Sequence, residues 1–311
     1  MNKLKQLLLW IECKSRHIFC RDFESRLNRI EEKLDYISSL IKVTNDIKNL
    51  PKAHGQLRLL QLSSLAFSRE IISFLDGHGI EYWLGSGALI GAIRHGGFVP
   101  WDDDIDLCTT RANYNRLGDL LQGEFCRADV LVTQSDCIRI IKKGTPCQID
   151  IFAWDEFGID DVSPRSIDSV RILWNQLYAK VVYDEKKLKT NHTLLVSPSN
   201  DEIKRLAGEY GKQFSGDHKM IIEGFEISRH WFNCWSRDVI FPLAEIEFEG
   251  VKFKCPNKPE KALSLQFGDY MNFPGTFHQH EDILSGIKGQ EDEMCRLINN
   301  IGISNDAALS L

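Results

Sequence analysis

The stretch Trp101-Asp102-Asp103-Asp104-Ile105-Asp106-Leu107-Cys108 sets four carboxylates within five positions. A folded chain keeps such a concentration of like charge only where something positive offsets it. Ile105 and Leu107 alternate with the acids, which predicts a half-buried strand at 104–109. Period two then sends Asp102, Asp104 and Asp106 to one face, where carboxylate oxygens can share hard divalent cations; Mg²⁺ or Mn²⁺ suits that set better than zinc. The competing reading is an acidic surface turn.

A second acid stands among residues suited to burial, in Gln148-Ile149-Asp150-Ile151-Phe152. If the two strands pair, Asp150 reaches the same cations and can accept the proton of an attacking hydroxyl. Alone, it could be a core acid bonded to backbone or arginine. Upstream, residues 85–97 (GSGALIGAIRHGG) join a strand to a short helix with glycines at both ends. Backbone N–H groups at Gly85, Ser86 and Gly87 can cradle phosphate there, and Arg94, with His95 beside it, can clamp a phosphorylated donor. The glycine spacing fits neither the P-loop nor the dinucleotide fingerprint, so it gains meaning only from the acidic strand that follows.

Residues 82–106, YWLGSGALIGAIRHGGFVPWDDDID, resemble the signature of the LicD and fukutin-related phosphotransferases. Arg111, Tyr114, the IDIF run around Asp150 with Asp155, FPLAEIEFEG from Phe241 and FGDYMNFP from Phe267 extend the likeness over most of 80–281. That family is similar to the DNA polymerase β-like nucleotidyltransferases. The resemblance therefore implies an α+β fold, with a nucleotidyltransferase-like mixed sheet flanked by helices. It places the paired acids at Asp104 and Asp106, the third at Asp150, an additional ligand at Asp102, and a histidine of the donor site at His280. It implies a CDP-linked donor such as CDP-choline, and as acceptor a glycan of a surface polysaccharide, lipopolysaccharide or teichoic acid precursor. Choline, ethanolamine, ribitol and glycerol are not distinguished by sequence. Two positions depart from the family: Ala88 stands where Thr or Ser is usual, leaving Ser86 as the candidate hydroxyl, and Ala153 where proline is common. Two other functions stay open, a nucleotidyltransferase that transfers NMP to a sugar or phosphate, and a non-catalytic nucleotide-binding subunit of glycan assembly.

The remainder of the chain sets bounds. Its 311 residues, net charge of −6 and 43% apolar content exclude a disordered or strongly basic protein, and no nucleic-acid partner is expected. Nine scattered cysteines without a Cys-x-x-Cys pair suit a reducing cytoplasm as buried small hydrophobes. Leu7 to Ile11 is too short for a span of about 20 residues. Lys3, Lys5, Lys14, Arg16 and Arg21 nevertheless flank Leu4, Leu7, Leu8, Trp10, Ile11 and Phe19, a mixture able to rest peripherally on the inner face of a membrane or pack on its own protein. Cys20, Phe23, Leu27, Ile30, Leu34, Ile37 and Ile41 form an a/d seam that predicts a coiled coil and a homo-oligomer through residues 20–41, with a helix folded back on the chain as the rival. Pro51 divides a helical extension, 1–50, from a catalytic domain at 55–311. Within that domain the patterns predict helices at 57–75, 111–122, 165–183, 200–211, 217–232 and 258–267, strands at 81–84, 137–142 and 147–153, and a hairpin over 245–254 turning at Glu249-Gly250.

Overall fold

The computed structural model describes residues 46–123, 129–134, 137–188, 214–224, 233–274 and 287–299, with Lys33, Arg205, Gly208, Glu209 and Lys212. The chain divides into two compact units, Met1–Leu50 and Pro51–Leu311. In the first, the Asp46 carboxylate accepts from the Lys48 N–H at 3.0 Å and caps one 3-10 turn, Ile47–Asn49. The heptad segment at 20–41 lies outside the described residues apart from Lys33, as does the basic and apolar segment before it.

The second unit runs α1 (Gly55–Gly77), β1 (Trp83–Leu84), α2 (Ser86–His95), β2 (Ile105–Thr110), α3 (Arg111–Gly123), β3 (Val130–Gln134), β4 (Ile138–Lys142), β5 (Gln148–Ile159), α4 (Pro164–Leu188), β6 (His218–Glu223), β7 (Cys234–Ser236), β8 (Ala244–Phe248), β9 (Val251–Cys255), α5 (Pro259–Phe267) and α6 (Glu291–Asn299). Helix α1 is buried without a break from Arg58 to Ser68, so it is a rod inside the core with no solvent face there. Two of its buried serines bond back to the helix itself: Ser63 donates to the Leu59 carbonyl at 2.7 Å and Ser68 to that of Leu65 at 2.8 Å. Helix α6 lies against it and buries Met294, Leu297 and Ile298.

The sheet follows the order β1-β2-β5-β4-β3, and β6 pairs with β5 and carries β7. It is mixed, as the resemblance implies: β2 and β5 run parallel and the other pairings are antiparallel. Strand β5 is central because its first half is covered on both sides, by β2 and β4, and its second half pairs with β6. Ile149, Ile151 and Ala153 enter the main core beneath α1 and α2. The opposite face carries a second apolar cluster built on Trp83, Trp154, Trp235 and Phe241.

One expectation is corrected. The region 217–232 does not begin as a helix: His218–Glu223 is a strand with Met220, Ile221, Ile222 and Glu223 buried, because β5 offers an open edge to pair with. Strand β3, helix α6 and strand β7 were not foreseen either. The hairpin is present, β8 pairing with β9 around Glu249 (φ 50°) and Gly250 (φ 77°), both left-handed as a two-residue turn requires. Glu249 also receives both guanidinium nitrogens of Arg58, at 3.0 and 2.9 Å, and Lys52 at 2.7 Å. Burial would raise its pKa, but these cations hold the carboxyl below the usual range. Among the described residues no helix is long and apolar enough to cross a membrane.

Candidate active site

The site is set where β2 and β5 lie side by side. Their parallel register pairs Asp106 directly with Asp150. Oxygens of Asp104, Asp106 and Asp150 come within 4.8 Å of one another, and Asp102, Asp103 and Asp104 make a second such group. Asp104 belongs to both. The sequence reading thus brings together Asp102, Asp104, Asp106 and Asp150, but it missed Asp103. Strand geometry starts only at Ile105, so the period-two rule that sent Asp103 to the far face does not apply to 102–104.

These carboxylates are crowded and little hydrated. Asp103, Asp104 and Asp150 are buried and Asp106 is half-buried. Burial, then the charges of Asp104, Asp102 and Asp150, push the Asp106 carboxyl well above the usual carboxylate range, with Arg139 opposing. An all-oxygen donor set whose central member resists ionisation fits a hard divalent cation, which supplies the missing positive charge.

Arg139 is the second residue that sequence reasoning passed over. It faces Asp150 across the antiparallel β4–β5 pair. Its Nε donates to Oδ1 at 2.8 Å and its Nη2 to Oδ2 at 2.5 Å. The available signal was a lone arginine between Ile138 and Ile140 on a buried strand, a position that calls for an acid opposite. Arg111 makes a similar fork to Asp155, at 2.8 and 3.0 Å, and lies 5.4 Å from the Tyr114 ring.

Helix α2 closes the site from above. A β-carbon on Gly87 would fall 2.5 Å from Asp102 Oδ2, and one on Gly85 would fall 2.5 Å from Cys108 Sγ, so a side chain at either position would have to displace Asp102 or Cys108. The Gly85 N–H donates to the Asp106 carbonyl at 3.0 Å, which ties the turn to β2. Ser86, half-buried, holds a left-handed φ of 40° at the first helical position. Ala88 is 1% exposed and packs in the main core, so it does not share a phosphate-facing position with Ser86.

Arg94 is buried and engaged. Its Nη1 donates to the Tyr270 carbonyl at 2.6 Å and its Nε to His95 Nε2 at 2.9 Å, and its guanidinium lies 5.8 Å from the Trp101 ring. Burial and Arg94 together depress the His95 pKa to about 4, so His95 is neutral and accepts that bond. Beside these residues a cavity of about 370 Å³ opens next to Asp102. His280 lies outside the described residues.

Residues 79–200 match the family model of the LicD/FKTN/FKRP nucleotidyltransferase domain. The chain is 47% identical to the lipopolysaccharide cholinephosphotransferase LicD of Haemophilus influenzae, with 70% of this chain and 92% of that protein covered. It is 48% identical to the human ribitol 5-phosphate transferase FKRP over 40 residues, 13% of this chain and 8% of that protein. The match along nearly the whole length of LicD, together with the paired acids on β2 and the third on β5, leads to one conclusion: the chain belongs to the LicD/FKTN/FKRP family.

Proposed function

We propose that the chain transfers phosphocholine from CDP-choline to a glycan of lipopolysaccharide. It is a phosphotransferase of the LicD cholinephosphotransferase kind, and the observation that carries this is the 47% identity across 92% of that relative. A precursor of another surface polysaccharide or of teichoic acid is an acceptor of the same chemistry.

Asp104, Asp106 and Asp150 would hold Mg²⁺ or Mn²⁺, with Asp102 and Asp103 completing the shell around Asp104. The cation, when bound, neutralises charge on the phosphoryl oxygens. The chain's own groups do the rest. The glycan hydroxyl attacks the phosphorus that bears choline, the bond from that phosphorus to the bridging oxygen breaks, and CMP leaves with the electron pair. Asp150 accepts the hydroxyl proton on a lone pair not used by Arg139, whose two hydrogen bonds fix the carboxylate's orientation. The N–H groups at the start of α2, from Ser86 onward, face the donor's phosphate, while Arg94 and His95, in the last turn of the same helix, tie it to the Tyr270 backbone.

Incubation with CDP-choline, a lipopolysaccharide acceptor and Mg²⁺ tests the proposal. CMP is expected as the released nucleotide and phosphocholine as the mass gained by the acceptor. A gain of CMP by the acceptor would instead establish nucleotidyl transfer, and release of neither would remove the catalytic reading.

A further inference from the structure

The cavity beside Asp102 has walls of a particular chemistry. Trp101, Phe267 and Tyr270 line it, together with Ile90 on α2. Asp102 and Asp269 bring two carboxylates, against one cation, Arg94, which is already bonded to the Tyr270 carbonyl and to His95. Asp269 is held in place by the Asn272 side-chain amide, which donates to its Oδ2. From these walls we infer that the cavity seats the quaternary ammonium of the donor, with Trp101, Phe267 and Tyr270 as the aromatic enclosure and Asp269 as the counter-charge. The inference rests on the cholinephosphotransferase reading and adds to it the residues that choose the alcohol.

Three physical arguments support the assignment. A trimethylammonium group has no N–H to donate and gains nothing from hydroxyl or carbonyl partners; it is attracted by aromatic faces and by a nearby anion. A polyol such as ribitol needs the opposite, many hydrogen-bonding groups, and rings offer few. The position also fits. Asp102 belongs both to the cavity wall and to the acidic group shared with Asp104, so a phosphate at the acids and an ammonium in the cavity lie within the span of one small molecule. Finally, a volume near 370 Å³ is in the range of small-molecule sites, which run from about 300 to 1,000 Å³. The Arg94 bond to the Tyr270 carbonyl fixes the backbone beneath the ring, so the enclosure is formed before the ligand arrives.

The test uses the full chain with Mg²⁺ and two donors, CDP-choline and CDP-ethanolamine, and compares wild type with Tyr270→Leu and Phe267→Leu. Both variants keep the backbone carbonyl that Arg94 grips. Each is expected to lower kcat/KM for CDP-choline about 10-fold, as loss of one cation–π wall would, while CDP-ethanolamine changes less than about 2-fold. Tetramethylammonium is expected to compete with CDP-choline in the wild type and to quench tryptophan fluorescence without any donor; both effects should fade in the variants, whose inhibition by CMP stays unchanged. Equal losses on both donors overturn the inference. Loss of CMP affinity in step with CDP-choline does so too, by assigning the cavity to cytidine. Failure of the underlying reading looks different: the wild type would then release no CMP from CDP-choline. Absence of tetramethylammonium binding to a wild type that does turn over CDP-choline would overturn the cavity assignment alone. Thermal melting of each variant separates these outcomes from misfolding.

Discussion

Replacing Asp106 by Asn should stabilise the metal-free protein while destroying its activity. Asp106 has oxygens within 4.8 Å of Asp104 and Asp150, and at an effective dielectric of about 20 a pair of unit charges at that separation repels by about 3.5 kcal/mol. Arg139 offsets part of this through Asp150, and protonation of Asp106 is the molecule's other outlet. Either outlet carries a cost that the isosteric amide avoids. A net gain of about 2 kcal/mol is therefore expected in chelator, equivalent to about 3 °C in melting temperature for a chain of this length. The sign with pH follows from the raised folded pKa. Below the unfolded value both states carry the proton and the variant gains little; as pH rises through the raised folded value the wild type loses stability and the advantage of Asn grows. Added Mn²⁺ should reverse the ranking, raising the wild-type melting temperature but hardly that of the variant, and transferase activity should fall at least about 100-fold. Scanning calorimetry across pH in EDTA and in Mn²⁺ measures all of this. A variant that melts lower than wild type in EDTA, or gains as much from Mn²⁺, would refute the claim that these carboxylates form one cation site.

Other substitutions probe neighbouring parts. Arg139→Gln removes both partners' bonds to a side chain that is 4% exposed, and because Arg139 itself is 38% exposed the expected cost is about 2 kcal/mol by denaturant titration, with kcat reduced about 10- to 100-fold and KM little changed. Ala88→Ser places a hydroxyl in the main core and should cost about 1–3 kcal/mol without improving donor use; an increase in kcat/KM would show that this side chain reaches the donor after all. Deleting residues 1–50 should lower the number of subunits per particle seen by light scattering and leave CMP release from CDP-choline intact; an unchanged subunit number would remove the coiled-coil proposal.

Much of the site could be read from the chain, and the omissions have definite causes. Asp104, Asp106 and Asp150 were legible as acids set among apolar strand residues, each of which needs a polar or cationic partner, and the structure pairs 106 with 150 in register and gives 150 the fork of Arg139. Asp103 was hidden by extending strand periodicity back to Asp102, three residues before the strand begins. Arg139 needed the β4–β5 register, a long-range fact that no local pattern encodes. The hairpin was legible because Glu249-Gly250 demands left-handed backbone, whereas His218–Glu223 was misread because a short run of buried residues serves helix and strand alike until a pairing edge is known. Ala88 looked like a lost ligand by comparison with a motif. Only the packing shows it as a filler of the core.

The central position of β5 has a consequence for how such a protein can change over generations. Asp150 is aimed by Ile149 and Ile151, which never touch a substrate but choose which side of the strand faces the core. A slip of one residue would turn the acid away from Asp104 and Asp106 into the apolar core and put isoleucine in its place, so an insertion or deletion within 148–154 is expected to abolish activity however mild its cost to folding. Residues 268–274, which wall the cavity near Asp269, carry no ladder register. Substitutions there shift no strand, so a different donor can be accommodated by altering that wall while the register that sets Asp106 beside Asp150 is kept.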